Sequence, residues 1–232
     1  MKRDKILEFE EKAGYRFEHP DLLITAFTHS SYSNENRLKK FECNERLEFL
    51  GDAVLELVSS EYIYGENPEK PEGDLTRIRA SYVCEPTLAL CARELGLGNY
   101  IQLGKGEDLT GGRERDSILS DTLEATIGAV YLDGGFERAR EYIYKHILKD
   151  IEKKKLFYDS KTILQEIIQG EHQELGYELL SEEGPDHNKS FTVAVKIGGE
   201  IAAKATDRTK KKAEQSAAYQ AILKLRENKD RR

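Results

Sequence analysis

Asn44-Glu45-Arg46-Leu47-Glu48-Phe49-Leu50-Gly51-Asp52-Ala53-Val54-Leu55-Glu56-Leu57-Val58 is the stretch on which the reading of this chain turns. Wound as an α-helix, it advances ~100° per residue. With Glu45 at the origin, Glu48 falls near ~300° and Asp52 near ~340°, so three carboxylates occupy a narrow arc. Leu47, Leu50, Val54, Leu57 and Val58 fall between ~120° and ~220°, a separate apolar stripe for a core. Carboxylates at i, i+3 and i+7 repel one another, which destabilises the helix unless a cation or solvent offsets it. Such an arc is ordinarily the wet side of a helix. Phe49 argues otherwise, because near ~40° it lies on the acidic side, where solvent favours a polar residue. The expectation is a face covered by a partner, with this helix meeting its own copy in a homodimer.

Outward from that helix, 232 residues with 38% hydrophobic and 34% charged content suit one or two domains with real cores. Met1 to Gly14 is interleaved with charge, so neither a signal peptide nor a membrane anchor is expected there. No apolar run approaches the ~18 residues of a transmembrane helix. Cys43, Cys84 and Cys91 are odd in number and form no CxxC pair, the pattern of a reduced, cytoplasmic protein without structural zinc. The net charge of −7 argues at first against a polyanionic partner. Its distribution does not: residues 159–232 hold 13 basic and 13 acidic side chains, so the whole excess lies in the first 158. An acidic, metal-binding body joined to a neutral module with a local basic patch fits that division.

Periodicity and breakers predict helices over Lys2–Gly14, Asp21–Phe27, Asn44 to about Tyr64, a helix N-capped by Asp74 through Val83, and Pro86–Leu95. Thr28 to Tyr32 reads as a loop or a helix end, and Glu66 to Gly73 and the glycine-rich Gly104 to Gly112 as loops. The last of these lacks the spacing of a phosphate-cradling loop. A further helix starts near Ser117 and ends at Asp133-Gly134-Gly135, and another runs from Phe136 to about Lys155. The helix from Ser117 carries Asp121 and Glu124 on one face, and its small Ala125, Gly128 and Ala129 let a second backbone approach closely. After Lys155 the pattern changes to a helix over Asp159–Gln169, strands at Tyr177–Ser181, Ser190–Ile197 and Glu200–Ala205, and a closing helix over Lys210–Leu225. The expected fold is an all-α domain followed by a small α+β domain of order α-β-β-β-α.

The chemistry follows from the donor set. Glu45, Glu48, Asp52, Asp121 and Glu124, with Glu72 from the loop, are hard oxygen ligands without a His or Cys ligand motif, which favours Mg²⁺ or Mn²⁺ over zinc or copper. Carboxylate-held Mg²⁺ serves phosphate chemistry, phosphodiester hydrolysis included, though phosphatases and polymerases use the same ligands. In the second domain, Lys210, Lys211 and Lys212 open a helix, placing cations and a helix N-terminus at one spot where phosphate binds. The same run also reads as a solubilising surface. Gln165 and Glu166 on the preceding helix and His187 in a loop add polar contacts, a distribution suited to successive grooves of an RNA duplex.

Asn44-Glu45-Arg46-Leu47-Glu48-Phe49-Leu50-Gly51-Asp52 resembles the signature of the ribonuclease III family. Ser117-Ile118-Leu119-Ser120-Asp121-Thr122-Leu123-Glu124-Ala125 resembles its second motif, and Thr28 to Tyr32 and Pro71 to Asp74 also match. From Asp159 the chain is similar to a double-stranded-RNA-binding domain, through Lys161 to Glu166, Gly184 to His187 and Lys210 to Gln215. The resemblance implies a catalytic endonuclease domain over residues 4–135, with a helical extension and linker to about 158, and an RNA-binding domain over 159–228. It implies a homodimeric endonuclease that cuts double-stranded RNA to 5′-phosphate and 3′-hydroxyl ends in ribosomal and messenger RNA processing. Carried over by position, Glu48, Asp121 and Glu124 ligate Mg²⁺, for which Mn²⁺ can substitute, with Asp52 and Glu124 catalytic. Glu45 and Glu72 match a second acidic pair, Phe49 the dimer contact, and Gln165, Glu166, His187, Lys210 and Lys211 the RNA-binding residues.

The chain departs from the family pattern at Cys43, where many members have His, at Thr126 for leucine, and at Ala205 and Asp207 for glycines. The rival reading is a catalytically inactive RNA-binding dimer acting as a processing scaffold. Such a relative should lack at least one of Glu48, Asp52, Asp121 and Glu124, and this chain has all four.

Overall fold

The computed structural model describes residues 3–38, 42–152, 156, 160–184 and 189–230. The chain divides into two compact units, Met1–Ile151 and Glu152–Arg232.

The first unit is helical: α1 (Arg3–Ala13), α2 (Pro20–Ala26), α3 (Ser30–Glu35), α4 (Glu45–Glu66), α5 (Glu72–Tyr82), α6 (Glu85–Glu94), α7 (Lys105–Leu109) and α8 (Asp116–Ile143). Among the described residues its one β feature is an isolated parallel bridge between Thr28 and Gln102. The core gathers Phe9 from α1, Leu23 from α2, Leu55 and Val58 from α4, Leu88 from α6 and Leu123 and Ile127 from α8. Fully burying each such side chain contributes about 1.5–3 kcal/mol. Phe9 packs edge-on against Phe27 at 4.9 Å between ring centroids, which ties α1 to the end of α2.

α4 and α8 form the most extensive helix pair. Backbone meets backbone where they pack. A β-carbon on Gly51 would lie 1.8 Å from the Glu124 carbonyl oxygen, and one on Gly128 would lie 2.2 Å from that of Leu47. Only glycine permits this approach.

Several boundaries differ from the sequence reading. Ser30–Glu35, whose first residues were expected as a loop or helix end, is a short helix capped by the His29 side chain, whose Nδ1 accepts the Ser31 N–H at 3.2 Å. Asp74 is not the cap of α5 but lies in its first turn, since the helix begins at Glu72 after Pro71. The glycine-rich stretch holds α7 and a 3₁₀ turn at Gly112–Glu114. At Asp133-Gly134-Gly135 the helix breaks as expected: Gly135 takes φ 80° and ψ −176°, a non-helical kink within α8, and a second helical segment runs on to Ile143. A π turn over Tyr144–Leu148 follows, and Asp150 reverses the backbone at φ 59°, short of the expected end at Lys155, which lies outside the described residues. Leu57, assigned to the core stripe, is 58% exposed, whereas Leu55 is fully buried. The buried face of α4 is therefore rotated toward the acidic arc.

The second unit contains α9 (Ser160–Gly170), β1 (Leu175–Glu183), β2 (Ser190–Ile197), β3 (Glu200–Asp207) and α10 (Lys210–Asp230). The strands form an antiparallel sheet in the order β1-β2-β3. Gly198 and Gly199 join β2 to β3 with φ of 58° and 85°, a two-residue turn whose twist suits a hairpin and whose positive φ glycine accepts without strain. Leu164 and Ile168, one turn apart on α9, are buried with Val195, Ala203, Ala217, Ala218, Ala221 and Ile222. The alanines of α10 present little bulk, so the helix lies close against the sheet.

Candidate active site

The glycine contact sets the separation of α4 and α8, and the carboxylates lie beside it. Glu48 precedes Gly51 by three residues and Asp52 follows it directly, both on the same flank of the contact, and Glu124 supplies the carbonyl that Gly51 approaches. Glu48, Asp121 and Glu124 are half-buried, and each offers a carboxylate oxygen within 4.8 Å of the others'. Burial pushes the Glu124 carboxyl up to about 8, helped by the charges of Asp52, Asp121 and Glu48. Burial likewise lifts Glu48 to about 7, with Asp121, Glu45 and Asp52 adding to it. Asp121 is raised by burial, opposed by a hydrogen bond from the Ser120 hydroxyl. Every neighbouring charge acting on Glu48 and Glu124 is another carboxylate. Such a cluster is unfavourable as it stands and is relieved by protons or by a divalent cation. Three oxygen donors from two rigid helices, with no sulfur or imidazole among them, suit Mg²⁺ or Mn²⁺.

The other expected site residues are distributed as follows. Asp52 is exposed and acts on Glu48 and Glu124 through its charge. Glu45, also exposed, acts on Glu48 from the first turn of α4. Glu72 lies apart from this cluster, at the start of α5, where its carboxylate accepts the Thr76 hydroxyl at 2.9 Å. It lines an open groove of about 470 Å³ with Leu57, Tyr64, Leu75, Thr76 and Arg79. Phe49 is 80% exposed. Gly51 is the functional residue that the sequence reading passed over. Its signal was present: a residue without a side chain between two carboxylates, on a helix needing a close neighbour.

In the second unit, Gln165 and Glu166 are exposed on α9, on the side away from buried Leu164 and Ile168. Lys210 and Lys211 are exposed in the first turn of α10, where the Thr209 hydroxyl accepts the Lys212 N–H at 3.2 Å and caps the helix. The helix dipole adds to their positive charge at this end. The Asp207 carboxylate accepts the Arg208 N–H at 2.7 Å immediately before that turn. His187 lies outside the described residues. Among the described residues no helix is long and apolar enough to cross a membrane.

A Ribonuclease-III-like family model matches residues 19–151, and a double-stranded RNA binding motif matches residues 160–225. Ribonuclease 3 of Caldanaerobacter subterraneus is 48% identical over 93% of this chain and 96% of its own. Ribonuclease 3 of Pelotomaculum thermopropionicum is 49% identical over 96% of this chain and 94% of its own. The nuclease domain of ribonuclease III from Campylobacter jejuni, in a structure described as showing flexibility in a region involved in dimer formation, superposes with a TM-score of 0.58 at 45% identity. It covers 62% of this chain and 96% of that one. Near-complete coverage at this identity, together with the two motif matches in order, leads to one conclusion: the chain belongs to the ribonuclease III family of endoribonucleases specific for double-stranded RNA.

Proposed function

We propose that Glu48, Asp121 and Glu124 hold Mg²⁺, or Mn²⁺ in its place, and that with Asp52 they form the site at which one strand of an RNA duplex is cut. The observation that carries this reading is the convergence of three carboxylates from α4 and α8 to within 4.8 Å. A divalent cation there supplies charge neutralisation at the phosphate and a nucleophile at neutral pH. The residues themselves do the rest. With their carboxyls raised to about 7 and about 8, Glu48 and Glu124 hold protons around neutral pH when no cation offsets them, Glu124 the more fully, and would release them on binding a cation. Asp52, exposed beside them, accepts a hydrogen bond from the attacking water and orients it. Water adds to phosphorus, the bond to the 3′ oxygen breaks, and the water's proton ends on that oxygen, leaving 5′-phosphate and 3′-hydroxyl ends.

Residues 4–135, extended to about 158, are the cleaving module in this reading, and residues 159–228 hold the duplex through Gln165, Glu166, His187, Lys210 and Lys211. Phe49, Ala53 and Leu57, spaced four residues apart, together with Tyr64 form an exposed apolar stripe along α4. A stripe of this kind supports a homodimer built on Phe49, with Glu45 and Glu72 at the edge of the resulting cleft. Ribosomal and messenger RNA processing in the cytoplasm is the cellular role. The test is incubation of labelled duplex RNA with and without Mg²⁺, with EDTA as control. Glu124→Gln is expected to abolish cleavage while duplex binding survives, and near-normal turnover in that variant would remove Glu124 from the site.

A further inference from the structure

His29 stands where three segments meet. The Thr28 carbonyl accepts the Asn44 N–H at 2.8 Å, tying it to the entrance of α4, and the His29 N–H donates to the Gln102 carbonyl at 3.1 Å. The ring is held as firmly as the backbone. Its Nδ1 accepts the Ser31 N–H at 3.2 Å and lies 2.8 Å from the Ser31 hydroxyl oxygen. That oxygen in turn accepts the Gly104 N–H at 3.0 Å.

Counting protons fixes the tautomer. With a backbone N–H already aimed at it, Nδ1 presents a lone pair. The Ser31 hydroxyl, whose oxygen is engaged by Gly104, turns its single proton to the same nitrogen. The neutral ring must then carry its own proton on Nε2. Burial holds the ring toward that neutral form, against the charges of Glu107, Asp121 and Glu45, while Arg115 acts with burial. Asp121 and Glu45 are thus near enough to act on the imidazole, yet among the described residues no hydrogen bond joins them to it.

We infer that His29 holds a fixed Nε2–H donor at the edge of the acidic cluster, where it hydrogen-bonds a backbone oxygen of the RNA strand being cut. The inference rests on reading that cluster as the cleavage site. The carboxylates there are acceptors and repel a polyanion. A neutral donor oriented before the substrate arrives needs no reorganisation and does not compete for the cation.

Two substitutions separate capping from donation. His29→Asn keeps an acceptor where Nδ1 stands, and asparagine is a good helix N-cap, but it does not reach the Nε2 position. His29→Gln extends an amide N–H toward that position and gives up the cap. His29→Asn should melt like the wild type and bind duplex RNA equally well in Ca²⁺, with kcat reduced ~10- to 100-fold and KM within about threefold. His29→Gln should melt earlier yet retain more of the turnover. Cleavage by His29→Asn at the wild-type rate, or a rate order that follows thermal stability, would overturn the inference while leaving the cluster reading intact. A wild-type protein that leaves duplex RNA whole in Mg²⁺ would refute both.

Discussion

Replacing Gly51 with alanine tests the link between helix packing and the site most directly. The added β-carbon would lie 1.8 Å from the Glu124 carbonyl oxygen and 2.9 Å from the Gly128 nitrogen, both backbone atoms that no rotamer change can move. To reach ordinary contact it must gain about 1.6 Å, so α4 and α8 have to separate or slide. Overpacking of this kind costs about 1–3 kcal/mol, here at the upper end, and the helix preference for alanine over glycine returns about 0.5–1 kcal/mol. The expected net loss is about 2 kcal/mol. Because the displaced atom belongs to Glu124 and the substituted residue neighbours Asp52, the strain falls on the carboxylates themselves. A misplacement near 1 Å costs roughly 10²-fold in rate. Urea denaturation and duplex-RNA cleavage in Mg²⁺ read the two effects. Gly65→Ala, in the same helix with nothing within 4 Å, is the control and should be neutral or stabilising by about 0.5–1 kcal/mol. Wild-type stability and turnover in Gly51→Ala would refute the argument that this contact assembles the site.

The raised carboxyls of Glu48 and Glu124 favour the metal-free fold fully below the ordinary carboxylate pKa, and that contribution is lost as pH rises through about 7 and about 8. Thermal midpoints without metal should therefore fall across that window more steeply in the wild type than in Glu124→Gln, and Mg²⁺ should stabilise more at the alkaline end; parallel curves for the two proteins would count against it. Phe49→Asp should shift sedimentation from dimer to monomer at micromolar concentration, and a wild-type protein that already sediments as a monomer would contradict the dimer. Asp207 places a negative charge beside the cationic start of α10, so Asp207→Gly should tighten duplex binding, most strongly at low salt. An unchanged dissociation constant across a salt titration would exclude that role.

The carboxylate arc could be read from the sequence because Glu48, Asp52, Asp121 and Glu124 obey helical spacing on two long helices, and spacing survives folding. The core stripe of α4 was read less well. The wheel placed acids and core on opposite sides, whereas packing against α8 at Gly51 draws the buried face toward the acids, burying Leu55 and leaving Leu57 outside. The helix Ser30–Glu35 is polar and only six residues long, so it has no apolar period to betray it, and its cap is a histidine rather than a usual capping residue. Asp74, a good capping residue by type, does not cap α5 because Pro71 occupies the N-cap position and the helix is already under way at Glu72. In the second unit the hairpin at Gly198-Gly199 and the β2 boundaries were legible, since two adjacent glycines between alternating strands leave few alternatives. Glu45 and Glu72 are not brought together within one chain, and no pattern in a single sequence could show how they stand in an assembly.

An ordinary amphipathic helix has one face on which mutations drift almost freely. α4 has none: one side carries the buried Leu47, Gly51, Val54, Leu55 and Val58, the next carries Glu48 and Asp52, and the remaining side exposes Phe49, Leu57 and Tyr64. Its whole circumference is committed. In a saturation library selected for RNA cleavage, this segment should register as a nearly unbroken band of intolerance, with Gly65 near its end among the few permissive positions.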